Sequence, residues 1–239
     1  NATDRTLTLN GTGDMLVSGV IANGSTSTAS GITKEGAGTL TLDGNNTYAG
    51  DTTINGGTLR LGAANRLDNT TDVVIGASGT FDLNSFSETV ATITNGGAIT
   101  MGDDNTLTTT GAQTHTGSIS GTDISIIANT GNLTFDTISA NTLFAQAVAG
   151  DIILNDQITA GANAGTSITL VADDQFINNF GATALQTSGT ARWLVYSEDS
   201  ANNTRGSLAG FNRYGCTYNA GSPDCAVGTD TPATGNGFY

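Results

Sequence analysis

The chain has 239 residues, of which 12% are charged, and it carries 33 Gly against 2 Pro. Its formal net charge is −14, from 21 acidic residues against one Lys (Lys34) and six Arg. That balance excludes nucleic acid and anionic lipid as partners, since both need a basic footprint. The abundance of Gly, Thr, Asn and Ser excludes a fold built on long helices.

Disorder is excluded as well, because Leu, Ile and Val recur at regular spacing along the chain. No run of about 18 apolar residues suggests a membrane-spanning helix. Asn1 begins directly in strand-like sequence with no export signal before it. An exported chain of this kind is expected to be a processed product or a segment of a longer one.

From residue 38 onward one pattern recurs: Gly, any residue, apolar, any residue, apolar. It reads Gly38-Thr39-Leu40-Thr41-Leu42, Gly57-Thr58-Leu59-Arg60-Leu61, Gly79-Thr80-Phe81-Asp82-Leu83 and Gly97-Ala98-Ile99-Thr100-Met101. It returns at Gly131 and Gly150, with a late variant at Ser167-Ile168-Thr169-Leu170. The first four glycines lie 19, 22 and 18 residues apart, and Gly131 to Gly150 is again 19. A period near 20 with alternating apolar positions predicts one coil of short strands per repeat, with alternate side chains in the bore. Stacked coils pair each strand with its copies above and below. The expected fold is all-β: a single-stranded, parallel, right-handed β-helix (β-solenoid) over residues 1–189. The main support for an antiparallel sandwich comes from Asn10-Gly11, Asn23-Gly24, Asn55-Gly56 and Asn95-Gly96, which are hairpin dipeptides.

Residues 32–62 carry the fullest copy of the pattern. Lys34-Glu35-Gly36-Ala37-Gly38-Thr39-Leu40-Thr41-Leu42 is followed by Asn46-Thr47-Tyr48-Ala49-Gly50, then Thr52-Thr53-Ile54 and Gly57-Thr58-Leu59-Arg60-Leu61. This stretch resembles the passenger-associated repeat of bacterial autotransporters. The resemblance implies a β-helical exported passenger and no particular ligand. On alternation, Leu40, Leu42, Ile54, Leu59 and Leu61 are core, whereas Thr39, Thr41, Thr53 and Arg60 face outward. Tyr48 is expected at a corner, and Asn45 and Asn46 could begin an Asn stack along the coils.

Composition shifts at Thr190. Seven of the 14 aromatics lie beyond it, with both Cys and both Pro. Arg192-Trp193-Leu194-Val195-Tyr196-Ser197 reads as a strand, and Asn202 to Tyr214 as an irregular loop. The Trp-Leu-Val-Tyr-Ser … Phe-x-x-Tyr pattern resembles the segment that follows the β-helix in filamentous-haemagglutinin-like exoproteins. Residues 190–239 are expected to form a C-terminal cap, with Trp193, Tyr196, Phe211 and Tyr214 covering the last coil or offering a contact surface. Cys216 and Cys225 are the only cysteines; in an exported protein they are expected to pair as a disulfide.

Candidates for chemistry are few. The only His, His115, sits in the alternating run Gln113-Thr114-His115-Thr116 and is expected to face outward. Asp103-Asp104 and Asp173-Asp174 are the adjacent acidic pairs, and each falls where a turn is expected. Two cysteines without a nearby His do not complete a zinc site, tandem calcium nonapeptides are absent, and Gly36-x-Gly38 opens no phosphate loop. The expectation is a non-enzymatic chain with no cofactor and no metal. It would be secreted to the bacterial cell surface through an outer-membrane translocator, as an adhesin or fibre segment. Its contacts would be a host or bacterial surface, glycans or sister molecules. The alternatives are a self-assembling extracellular filament and a polysaccharide-active β-helix enzyme, which would use the acidic pairs.

Overall fold

In the computed structural model the described residues are 4–161, 165–198, 202–209, 211–212, 216–219, 222–225 and 236–238. For 211–212, 216–219 and 222–225 only the backbone is described. Those residues build a parallel β-solenoid with no helix.

Three ladders run along the axis. The first comprises nine strands among the described residues. It starts with Thr6–Leu9 and Gly31–Lys34, continues through the beginnings of Thr52–Leu61 and Val73–Asp82, then Ile93–Asn95, and ends at Ile152–Leu154 and Phe176–Asn178. The second starts with Met15–Val17 and Thr39–Leu42, passes through the second halves of the same long strands and Ala98–Gly102, and closes with Ile158–Ala160 and Leu185–Thr187. The third begins only at Glu88–Val90 and continues through Asn105–Thr109, Asp123–Ala128, Thr142–Ala147, Thr166–Ala172 and Arg192–Ser197. At roughly 4.8 Å per rung the rod is about 40 Å long.

All ladder pairings are parallel; the one antiparallel pair among the described residues joins Cys216–Asn219 to Ser222–Cys225. The Asn-Gly dipeptides therefore do not make hairpins. Asn55-Gly56 lies inside one continuous strand, which bends there from the first face onto the second. The bend needs Gly57, whose φ is +62°. A Cβ there would collide with the carbonyl oxygens of Gly36 and Gly38 in the coil before, so only glycine fits.

Alternation places every second row of side chains of each ladder in the bore. Leu40, Leu59, Phe81, Ile99, Ile119, Ile138, Ile158 and Leu185 form such a row on the second face, in register from coil to coil. Leu42, Ile54 and Leu61 are buried with them. Each coil touches only its neighbours, so the core is a stack rather than a sphere.

The third side is built in two ways. In the first three coils the chain crosses it without a strand, apart from the single bridge between Ala22 and Thr47. Side chains replace the missing ladder. Asn46 is buried, its Oδ1 accepting the Ile21 N–H at 2.8 Å and its Nδ2 donating to the Arg66 carbonyl at 2.9 Å. One asparagine thus ties three successive coils, and it does so by bonding backbone, not by stacking on further asparagines.

The parallel ladder runs on past residue 190, since Arg192–Ser197 pairs with Thr166–Ala172. Gly237–Phe238 then adds to Arg192–Ser197. Phe238 lies edge-on to Trp193 at 5.0 Å and tilted to Phe176 at 6.0 Å, with the Arg205 guanidinium 4.4 Å above its ring. These rings and the guanidinium form one aromatic cluster beside Arg192–Ser197.

Candidate functional site

Most chemically distinctive side chains of the solenoid lie in its wall, where they hold backbone together. Lys34 occupies a bore position in register with Leu9 and Ile54. Its ammonium donates to the carbonyls of Glu35 at 2.7 Å, Gly36 at 2.8 Å and Gly56 at 3.1 Å. The bend between the first and second faces turns these carbonyls away from the ladder, and a cation with three donors suits them. Burial lowers its pKa.

Further along the same row stand Asn95, His115 and Asn178. Asn178 Nδ2 donates to the Gly181 and Arg205 carbonyls, while its Oδ1 accepts the N–H groups of Phe180 and Gly181. His115 points inward, against the outward placement expected from sequence, and is fully buried. Its ring stacks on Phe135 at 5.5 Å, and Nε2 bonds Gln113 Oε1 at 3.0 Å. Gln113 Nε2 donates to the Ile127 carbonyl. His115 Nδ1 has no partner among the described residues, and burial pushes the imidazole pKa down to about 3. The ring is neutral at physiological pH and out of reach of any substrate.

Glu88 is the least expected bore residue. It stands in register with Leu107, at the start of the third ladder. Its Oε2 accepts the N–H groups of Arg66 and Leu67, and its Oε1 accepts that of Thr89. Burial raises its pKa to about 7, against the lowering effect of those three bonds. Tyr48 is buried beside it, bonded to Thr52 Oγ1 at 2.7 Å, and its hydroxyl pKa is raised by burial. Neither group opens to solvent.

The acidic pairs sit at exposed turns: Asp103 and Asp104 between the second and third faces, Asp173 and Asp174 after Thr166–Ala172. Asp104 adopts a positive φ of 50°, which Asp tolerates better than most side chains. No group of three His, Cys, Asp or Glu among the described residues is arranged to hold a metal ion.

Trp193 and Tyr196 are both buried, on opposite sides of one strand. Trp193 enters the bore, whereas Val171, Leu194 and Tyr196 point outward from the third face and are covered all the same. The strand Cys216–Asn219 runs beside Arg192–Ser197. Cys216 and Cys225 are opposite partners across its antiparallel pair. Their side chains, and that of Phe211, lie outside the described residues, as does Tyr214 altogether.

The outside of the first face presents a column with no charge. Thr8, Thr33, Thr53, Val74, Thr94, Thr114, Thr134, Ile153 and Ile177 follow one another in register. Such a molecule belongs structurally to the β-solenoid rods, which present repeated side chains along flat flanks. Residues 32–61 match the passenger-associated-transport-repeat family. That match and the solenoid together fit a passenger β-helix of autotransporters, and the repeat implies an exported, surface-exposed passenger. No characterised protein and no solved structure shows significant similarity to the chain.

Proposed function

We propose that the chain is part of an adhesive rod on the bacterial surface, non-catalytic, contacting cells, surfaces or sister molecules through its flanks. The observation that carries this reading is the uncharged threonine-rich column in register along the whole first face. A flank of this kind offers the same methyl and hydroxyl groups at every rung, so weak contacts add along its length. The chemically active side chains, in contrast, are spent on holding coils together. Export would pass through an outer-membrane translocator, as for passengers that carry this repeat. Attachment and aggregation assays on cells with and without the full-length protein test the proposal; unchanged attachment overturns it.

Assembly into a filament is the second reading. It is favoured by the same uncharged column, along which two rods can pack side by side. Electron microscopy at high protein concentration distinguishes the two, since isolated rods count against a filament.

A further inference from the structure

We propose that the rung above Arg192–Ser197 is a slot for an extended Asn-Gly-Phe segment, and that a second copy of the chain fills it with its own Asn236-Gly237-Phe238. Elsewhere among the described residues the rungs of each ladder follow chain order. On the third face that order breaks. Gly237–Phe238 lies between Arg192–Ser197 and Phe211–Asn212, parallel to both. On the first face nothing intervenes: Thr204 bridges directly to Ile177, its N–H donating to the Phe176 carbonyl at 2.9 Å. The chain is therefore seated on the coil below at Thr204 but stands one extra rung away, about 4.8 Å, by Phe211.

Two strand edges face each other across that rung, and each has backbone groups that need a partner. An inserted segment pairs on both sides, whereas a strand added to a lone edge pairs on one. Side chains make the slot selective. Asn236 Oδ1 accepts the Trp193 N–H at 3.0 Å. Gly237, buried, is in register with Leu194 and Phe211, and Phe238 with Val195 and Asn212. The Phe238 ring is 2% exposed. It is held by Trp193 at 5.0 Å, Phe176 at 6.0 Å and the Arg205 guanidinium at 4.4 Å. The slot thus reads an amide, a glycine and an aromatic ring in succession.

These contacts are the same whichever molecule supplies the segment. Ten residues, 226–235, separate Cys225 from Asn236 in sequence, and that many span at most about 35 Å. Two copies that exchange their segments form a closed two-fold pair, with every bond that each makes alone. A second copy is the occupant the slot fits, because the segment it holds is this chain's own. This contact is separate from the first-face flank and does not rest on the adhesive reading.

Trp193 is the only Trp of the chain, so its fluorescence reports on the slot. In full-length Phe238→Ala its emission is expected to move to longer wavelength. A synthetic peptide of residues 233–239 is expected to return it towards the wild-type value, and the same peptide carrying Phe238→Ala is not. Asn236→Ala in the peptide is expected to weaken it by up to about tenfold. Should Phe238→Ala lose its circular dichroism, full-length Asn236→Ala serves as the acceptor with the same readout. Light scattering on the concentrated wild type is expected to show a dimer that the peptide dissociates and that Phe238→Ala does not form. Emission indifferent to Phe238→Ala, or to the peptide, overturns the slot. A wild type that stays monomeric, or a dimer that survives Phe238→Ala, overturns the exchange between copies.

Discussion

The carboxylate of Glu88 accepts the backbone N–H of Arg66, one coil below it, at 2.8 Å. A charged side chain thus does, in the bore, what a strand does elsewhere. It marks the point where the third side changes from side-chain ties to a continuous ladder.

The pH dependence of stability follows from that position. The carboxyl titrates near 4.5 in an unfolded chain and at about 7 in the fold, so between those values the folded state holds the extra proton. The stability linked to Glu88 is full below pH 4.5 and is lost as pH rises through 7. Glu88→Gln is expected to remove this alkaline-side loss, although Thr89 N–H then faces an amide. Urea midpoints at about pH 5 and about pH 8 measure it, and the variant's two values should lie closer together than the wild type's.

His115 slopes the other way. Its folded pKa of about 3 lies below the ordinary 6.5, so the stability it contributes is full above pH 6.5 and is lost as pH falls towards 3. His115→Leu is expected to flatten the acid limb but to orphan Gln113 Oε1, costing about 1–3 kcal/mol at neutral pH. The double change Gln113→Leu with His115→Leu should cost less than His115→Leu alone, because three of the four register partners, Ile93, Leu133 and Phe135, are apolar and only Asn95 is polar. Denaturant titration of the three variants tests the ordering.

Lys34→Met keeps an unbranched side chain, one atom shorter, and removes the charge. Three carbonyls at the bend then lose their donor, and the expected loss is roughly 2–3 kcal/mol. Added salt should change the wild type little, since the ammonium is buried and bonds carbonyls rather than a counter-ion. Thermal unfolding with and without salt checks both statements.

Gly57→Ala and Gly19→Ala form a contrast. The first adds a Cβ to a residue at φ +62° wedged against two carbonyls, whereas the second adds one where nothing lies within 4 Å. The expected outcomes are severe destabilisation or failure to fold for Gly57→Ala, and a change within about 0.5 kcal/mol for Gly19→Ala. Expression yield and melting temperature suffice to tell.

Cys216 and Cys225 stand opposite each other in the antiparallel pair, a separation a disulfide can span. Chain purified from an oxidising compartment is expected to resist alkylation until reduced. Intact-mass measurement before and after reduction checks it.

The parallel solenoid was legible in the sequence because Gly, Leu and Ile mark the same positions in coil after coil. What sequence reading missed has separate physical causes. In Gln113-Thr114-His115-Thr116 both parities are polar, so alternation is visible but its inward member is not. The register partners decide it, and His115 aligns with Phe135 and Gln113 with Leu133. Lys34 and Glu88 were hidden because a charged residue normally signals a surface, whereas here each satisfies backbone groups that the bends and missing strands leave unpaired. The late start of the third ladder had no sequence mark, since the connections at 18–30 and 43–51 contain the same Gly, Ser, Thr and Asn as true turns.

The two constructions of the third side give the rod a direction of wear. Among the early coils, opening one connection breaks a few isolated bonds, such as those Asp4 Oδ1 accepts from Thr28 and Ala29. Among the later coils it must break a ladder. Heat or denaturant should therefore open the early coils before the later ones. Damage would then loosen the side-chain-tied part of the rod while the laddered part still holds its shape.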